Sequence, residues 1–114
     1  MQNILIVTGG SGGHVIPSIT IFKHLKKNFL VRIVSDLRGS EFIDKNKYNY
    51  EIIDVPNLFL KKHLLPINIL KYFFNILKSF KYLKKNKINI IISTGGYMSL
   101  PFCLAAFLLK KKYF

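Results

Sequence analysis

The chain is poor in acid, in cysteine and in long apolar runs. Five Asp+Glu stand against 18 Lys+Arg, a formal net charge of +13 over 114 residues. Such a balance points to an anionic partner, whether nucleic acid, an acidic membrane surface or a polyanionic substrate, and composition alone does not choose among them. Abundant Ile, Lys and Asn also fit an AT-rich coding sequence, which raises the lysine count without function, so part of the charge carries no message. The scarcity of carboxylates leaves no paired-acid signature of the kind that holds a divalent ion to a nucleotide diphosphate. His63 stands beside Lys61 and Lys62 with no Cys or second His nearby, so neither a metal site nor a cofactor is expected. The single Cys103 excludes an internal disulfide and, in its apolar run, reads as a buried, inert thiol in a reducing compartment.

The missing long runs bound the membrane reading. The run from Ile4 to Val7 has only a strand's length and leads into glycines, so no signal peptide is expected. Met98 to Leu109 is apolar for about 12 residues, short of the roughly 20 that cross a bilayer, and Ile67 to Leu83 is broken by Lys71, Lys78 and Lys81. Any membrane contact is expected from the side. With 50% hydrophobic residues the chain can build a core, which excludes disorder, and its length allows one domain at most.

What is present is concentrated in Thr8-Gly9-Gly10-Ser11-Gly12-Gly13-His14-Val15-Ile16-Pro17. Glycines without a Cβ can take positive φ and turn their N–H groups to an open space, and the N-terminus of a following helix adds partial positive charge. Phosphate or another oxyanion suits such a cradle. His14 at its lip can exchange protons near neutral pH. Two familiar glycine motifs do not fit: G-x-G-x-x-G from Gly10 meets Val15 where glycine is required, and a P-loop needs Lys where His14 stands.

In order, the chain alternates strands and helices. Ile4 to Val7 is a buried parallel strand, and Pro17 suits the first turn of a helix lined by Ile21 and Leu25. Leu30 to Val34 is a second strand. Asp36 follows it, where a dinucleotide-binding protein places its ribose acid, although a solvent-facing or capping role is the safer reading. Ser40 is a plausible N-cap with Asp44 in the first turn of a short helix, Glu51 to Val55 a third strand, and Pro56 to Pro66 a loop. Ile67 to Lys85 is a helix, with Asn68, Lys71, Asn75, Lys78, Tyr82 and Lys85 in one stripe and Ile69, Phe73, Ile76, Phe80 and Leu83 in the opposite, core-facing one. Phe74 falls among Lys71, Lys78 and Lys81, with Tyr72 on the other flank. With Leu64 and Leu65 these residues suit an anionic bilayer interface, against the plainer reading of a core helix with a solvated lysine face. Ile88 to Ser93 is a fourth strand, Leu104 to Leu109 a closing helix, and the remainder a tail. The class expected is α/β, a Rossmann-like parallel sheet with flanking helices. Loops after Val7 and Ser93 would then face one ligand from two sides.

Two strings carry a family resemblance. The first glycine string resembles the G-G-T-G-G-H-x-x-P loop of the MurG family of bacterial cell-wall glycosyltransferases, with Ser11 keeping the hydroxyl of the usual Thr. Ser93-Thr94-Gly95-Gly96-Tyr97-Met98-Ser99-Leu100-Pro101 is similar to the family's G-G-Y-V-S-G-P, again after an apolar run. Leu100 departs from the pattern: it stands where the family has glycine, and a leucine resists positive φ and would crowd a headgroup.

The resemblance implies an incomplete N-terminal, acceptor-side domain of a GT-B glycosyltransferase over residues 1–114, without the C-terminal nucleotide-sugar domain. It implies transfer of N-acetylglucosamine from UDP-GlcNAc to muramoyl-pentapeptide on undecaprenyl diphosphate, at the cytoplasmic face of the bacterial inner membrane, with the isolated chain inactive. His14 is the candidate base. Gly10, Ser11, Gly12 and Gly13 form one wall at the substrate, and Thr94, Gly95, Gly96, Tyr97 and Ser99 the other. A separate C-terminal-domain chain is a further implied partner. The alternatives are a non-catalytic membrane-anchoring subunit of a two-chain transferase, an inactive gene fragment, and a nucleic-acid-binding module, the last disfavoured because the lysines are not interleaved with a reading motif.

Overall fold

A computed structural model describes residues 2–10, 12–44, 46–48, 50–53, 65–95 and 99–114, with the backbone alone at Leu65. The order is β1 Asn3–Thr8, α1 Gly12–Leu25, β2 Leu30–Ser35, α2 Leu37–Ser40, β3 Tyr50–Ile52, α3 Leu65–Lys85, β4 Ile90–Ser93, α4 Ser99–Leu108 and β5 Lys112–Tyr113. The strands form one sheet, β3-β2-β1-β4-β5, and every pairing is parallel. A parallel sheet covered on both faces needs apolar side chains in both directions, which is why the first strand is an unbroken aliphatic run. Leu5 and Val7 join Val34, Ile91, Leu83, Phe102, Ala105 and Ala106 under α3 and α4, whereas Ile6 joins Ile33, Ile43 and Val15 under α1.

The α/β expectation holds, and several details change. A fifth strand lies in what reads as a tail: Lys112 and Tyr113 pair with Ile90 and Ile91 because β4 would otherwise present a bare edge. The closing helix begins at Ser99 instead of Leu104, and α3 begins at Leu65, putting Pro66 in its first turn, where a missing N–H costs nothing. Pro17 instead sits in the second turn of α1, because the glycines themselves are helical from Gly12. Asp36, not Ser40, caps α2, and Asp44 lies beyond it. The third strand spans Tyr50–Ile52 rather than Glu51 to Val55, and Val55 falls outside the described residues.

The facing of α3 also differs from the expected stripes. Asn75, Ser79 and Leu83 are buried and Tyr72, Ile76, Phe80 and Tyr82 half-buried, whereas Ile69 and Phe73 are exposed. The helix packs chiefly on α4, through contacts such as Tyr82 edge-on to Phe102 at 6.2 Å. Short Asn75 and Ser79 permit close approach, and the Ser79 hydroxyl donates to the Asn75 carbonyl at 2.8 Å, so its burial leaves no orphan. Outward, Ile67, Leu70, Phe74 and Leu77 are exposed beside Lys71, Lys78 and Lys81. Tyr72 does not belong to that outer surface: it packs against the core and its hydroxyl is buried.

Candidate active site

The chain runs from β1 to β2 and β3 on one side, then crosses back to β4 on the other, so direction switches between β1 and β4. Ligands of open parallel sheets bind at such a point, outside the carboxyl ends of the strands. Both glycine segments emerge there. Gly10 (φ 84°) follows β1 and Gly95 (φ 113°) follows β4, each in a conformation that disfavours any side chain.

The two loops are joined directly. The Thr94 N–H continues the strand pairing to the Val7 carbonyl at 3.2 Å, and the Thr94 hydroxyl donates to that of Thr8 at 2.7 Å. His14, half-buried in the first turn of α1, places Nδ1 2.9 Å from the Thr94 carbonyl oxygen. Gly95 is packed on the same ring, since a Cβ there would lie 2.7 Å from Nδ1. Space around Gly10 is open, and Gly13 is exposed; Gly12 is backed by the Phe42 ring. The first turn of α1 therefore brings Gly12, Gly13 and His14 to the crevice mouth with N–H groups that have no helical acceptor.

Asp36 organises the first loop from behind. It is 3% exposed, and Oδ1 accepts from the Gly10 N–H at 3.0 Å and the Gly39 N–H at 2.7 Å. The carboxylate is therefore neither solvent-facing nor free for a ribose; it caps α2 and ties that helix to the glycine turn. A glycine three residues after an Asp at a strand end is the only sequence trace of this clamp. Thr8, with its loop-to-loop hydroxyl contact, gives no such trace.

Of the other expected site residues, Ser11, Gly96, Tyr97 and Leu64 lie outside the described residues, as does the Leu65 side chain. Ser99 is buried as the first residue of α4. Leu100 needs no positive φ, because it sits in the first turn of α4 with its side chain exposed, so the conformational objection to it falls away. Among the described residues no group of three His, Cys, Asp or Glu side chains could hold a metal ion, and no helix is long and apolar enough to cross a membrane.

Two glycine loops converging at the switch point of a five-stranded parallel sheet define a Rossmann-like α/β domain. Solved structures share the fold: MurG of Acinetobacter baumannii superposes with a TM-score of 0.78 at 22% identity, over 99% of this chain and 34% of that one. A UDP-GlcNAc 2-epimerase of Neisseria meningitidis gives 0.66 at 17% identity, over 98% of this chain and 31% of that one. The chain belongs to glycosyltransferase family 28, whose N-terminal domain matches residues 4–114. It is 49% identical over 111 residues to the UDP-N-acetylglucosamine–N-acetylmuramyl-(pentapeptide) pyrophosphoryl-undecaprenol N-acetylglucosamine transferase of Pelagibacter ubique, covering 97% of this chain and 31% of the relative. The transferase of the same name from Borreliella afzelii is 35% identical, over 96% of this chain and 32% of its own length. The chain thus spans about a third of the length of the curated relatives it matches.

Proposed function

We propose that this chain is the acceptor-side part of a transferase that moves N-acetylglucosamine from UDP-GlcNAc to muramoyl-pentapeptide on undecaprenyl diphosphate, with the donor handled by residues beyond this third. The observation that carries the reading is the meeting of His14 with the Thr94–Gly95 loop at the switch point. In the reaction a hydroxyl oxygen of the acceptor attacks the anomeric carbon, the bond from that carbon to the diphosphate oxygen breaks, and UDP leaves with the electron pair. His14 takes the hydroxyl proton, while amides of Gly12 and Gly13 face acceptor oxyanions and the Gly10 N–H stays with Asp36. The family motif adds residues 11, 96 and 97 to the substrate-binding set by sequence alone.

The outward surface of α3 supports a peripheral approach to the membrane. Phe74 is 56% exposed among Lys71, Lys78 and Lys81, with Leu70 and Leu77 beside it. Each such cation near an anionic surface contributes on the order of 1 kcal/mol, and the aromatic adds interfacial burial. We place this surface on the cytoplasmic leaflet, where the lipid-linked acceptor would be presented to the loops.

The test is transfer of labelled GlcNAc to a lipid-diphosphate acceptor by this chain alone and by the chain supplied with the remaining two-thirds of a family member. Transfer in the mixture, reduced about 100-fold or more by His14→Ala, is expected. Undiminished transfer by His14→Ala would remove the base from the reading, and silence in both arms would remove the activity.

A further inference from the structure

The geometry points to the Thr94 carbonyl and the bare Cα of Gly95 as the device that sets the tautomer of His14, fixing the proton on Nδ1 and leaving Nε2 as the basic nitrogen. The inference rests on the reading of His14 as the base, but it is testable without substrate.

A neutral imidazole carries one N–H, and the position of that proton decides which nitrogen can accept another. The partner of Nδ1 is a main-chain carbonyl, 2.9 Å away, and a carbonyl only accepts. The contact therefore holds Nδ1 as donor in the neutral ring and in the cation alike, and proton uptake at Nε2 leaves it in place. The carbonyl is itself held: Thr94 is anchored by its N–H to Val7 and by its hydroxyl to Thr8, which is fully buried in β1. Gly95 supplies the remaining condition. A Cβ at that position would sit 2.7 Å from Nδ1 and 2.9 Å from Cε1, so any side chain would displace the ring, and its φ of 113° is strained for every other residue. Thr94 and Gly95 are thus positioning residues that act through His14, and the second loop's glycine is needed for histidine packing apart from any contact with substrate.

The experiment is nitrogen NMR of the 15N-labelled chain, reading both ring nitrogens of His14 above its titration, with the exposed His24 as internal reference. His14 is expected to show a protonated, pyrrole-type Nδ1 and an unprotonated, pyridine-type Nε2, while His24 shows the mixture usual for free imidazole. A neutral His14 with its proton on Nε2 overturns the proposal in the unmodified protein, whatever any variant does. In Gly95→Ala the ring is expected to lose the Nδ1 preference; an unchanged His14 in a folded Gly95→Ala chain removes Gly95 from the device. Should that variant fail to fold, His14→Asn and His14→Gln test the donation to Thr94 itself. Asn can present an amide N–H where Nδ1 lies and is expected to keep a thermal midpoint above those of Gln and Ala; equal midpoints would show that donation to Thr94 contributes nothing. A fixed Nδ1–H without any glycosyl transfer leaves the tautomer device standing and removes the transferase reading, so the two failures are distinguishable.

Discussion

Gly39 has no room for one more carbon: a Cβ there would meet Ser35 Oγ at 2.5 Å and Gly9 Cα at 2.6 Å. Backbone against backbone cannot yield as a flexible side chain would, so Gly39→Ala is expected to cost about 1–3 kcal/mol in urea unfolding. Asp36→Ala strips the acceptor from the Gly10 and Gly39 amides and is expected to cost about 1–2 kcal/mol, with faster hydrogen exchange at Gly10 as the sign that the loop has come loose. Exchange at Gly10 unchanged from wild type would show that the loop holds its shape without the clamp. At this scale the sequence is legible where a residue's role is local. The glycine string allows positive φ at Gly9, Gly10, Gly12 and Gly13, and only Gly10 of the four takes it, because Gly12 and Gly13 open a helix. Asp36 is ambiguous because its second partner, Gly10, lies 26 residues away, and no short pattern records that pairing.

The helix α3 shows how an element can be legible while its orientation is not. Spacing of three and four fixes a helix, but apolar residues here occupy more than one side, and the wheel cannot say which side meets protein. The inward choice falls to short Asn75 and Ser79, which let α4 approach, and Ile69 and Phe73 are left outside. A two-residue strand such as β5 is silent in sequence for a related reason, since its extended state is imposed by the free edge of β4. Two outcomes follow for this element. Phe74→Glu together with Leu70→Glu places negative charge on the outer surface and is expected to abolish sedimentation with anionic vesicles while leaving the thermal midpoint within a few degrees of wild type; retained sedimentation would assign binding to another surface. Burial, and after it the neighbouring Cys103, pushes the Tyr72 phenol from 10.0 up to about 12. The folded chain therefore keeps a proton that the unfolded chain releases near pH 10, so this contribution is present below pH 10 and is lost as pH rises from 10 towards 12. Tyr72→Phe has no such proton, and its stability, followed by denaturant midpoint against pH, is expected to fall less steeply across that window.

For the whole molecule, charge and sheet edges set the behaviour. A net charge of +13 makes vesicle binding sensitive to salt, because the Debye length shrinks from about 10 Å at 0.1 M to about 3 Å at 1 M. Binding to phosphatidylserine vesicles is expected to weaken steadily over that range and to exceed binding to neutral vesicles at every point. Salt-insensitive, equal binding to both would leave hydrophobic contact as the sole attraction. Strand β5 guards one edge of the sheet, with Tyr113 packed against the core. Deleting residues 110–114 is expected to lower stability by about 1–2 kcal/mol and to promote self-association visible in sedimentation velocity. The α/β alternation that organises all of this is readable from the chain, because each apolar run and each helical spacing is a local signal. The order of the strands within the sheet is not, since it depends on pairings between distant segments.

The placement of β1 between β2 and β4 also dictates when the crevice can exist. Asn3 pairs with Leu30, a closure over 27 residues, whereas Ile4 pairs with Ile90, a closure over 86. On loop length alone the second closure costs about 1 kcal/mol more conformational entropy than the first. A chain emerging residue by residue can join β1, β2 and β3 while β4 is still unmade, so His14 meets its carbonyl only after β4 has been made. Assembly of the crevice thus reports the arrival of β4, and any nascent chain that stalls before it carries the glycine turn without its opposing wall.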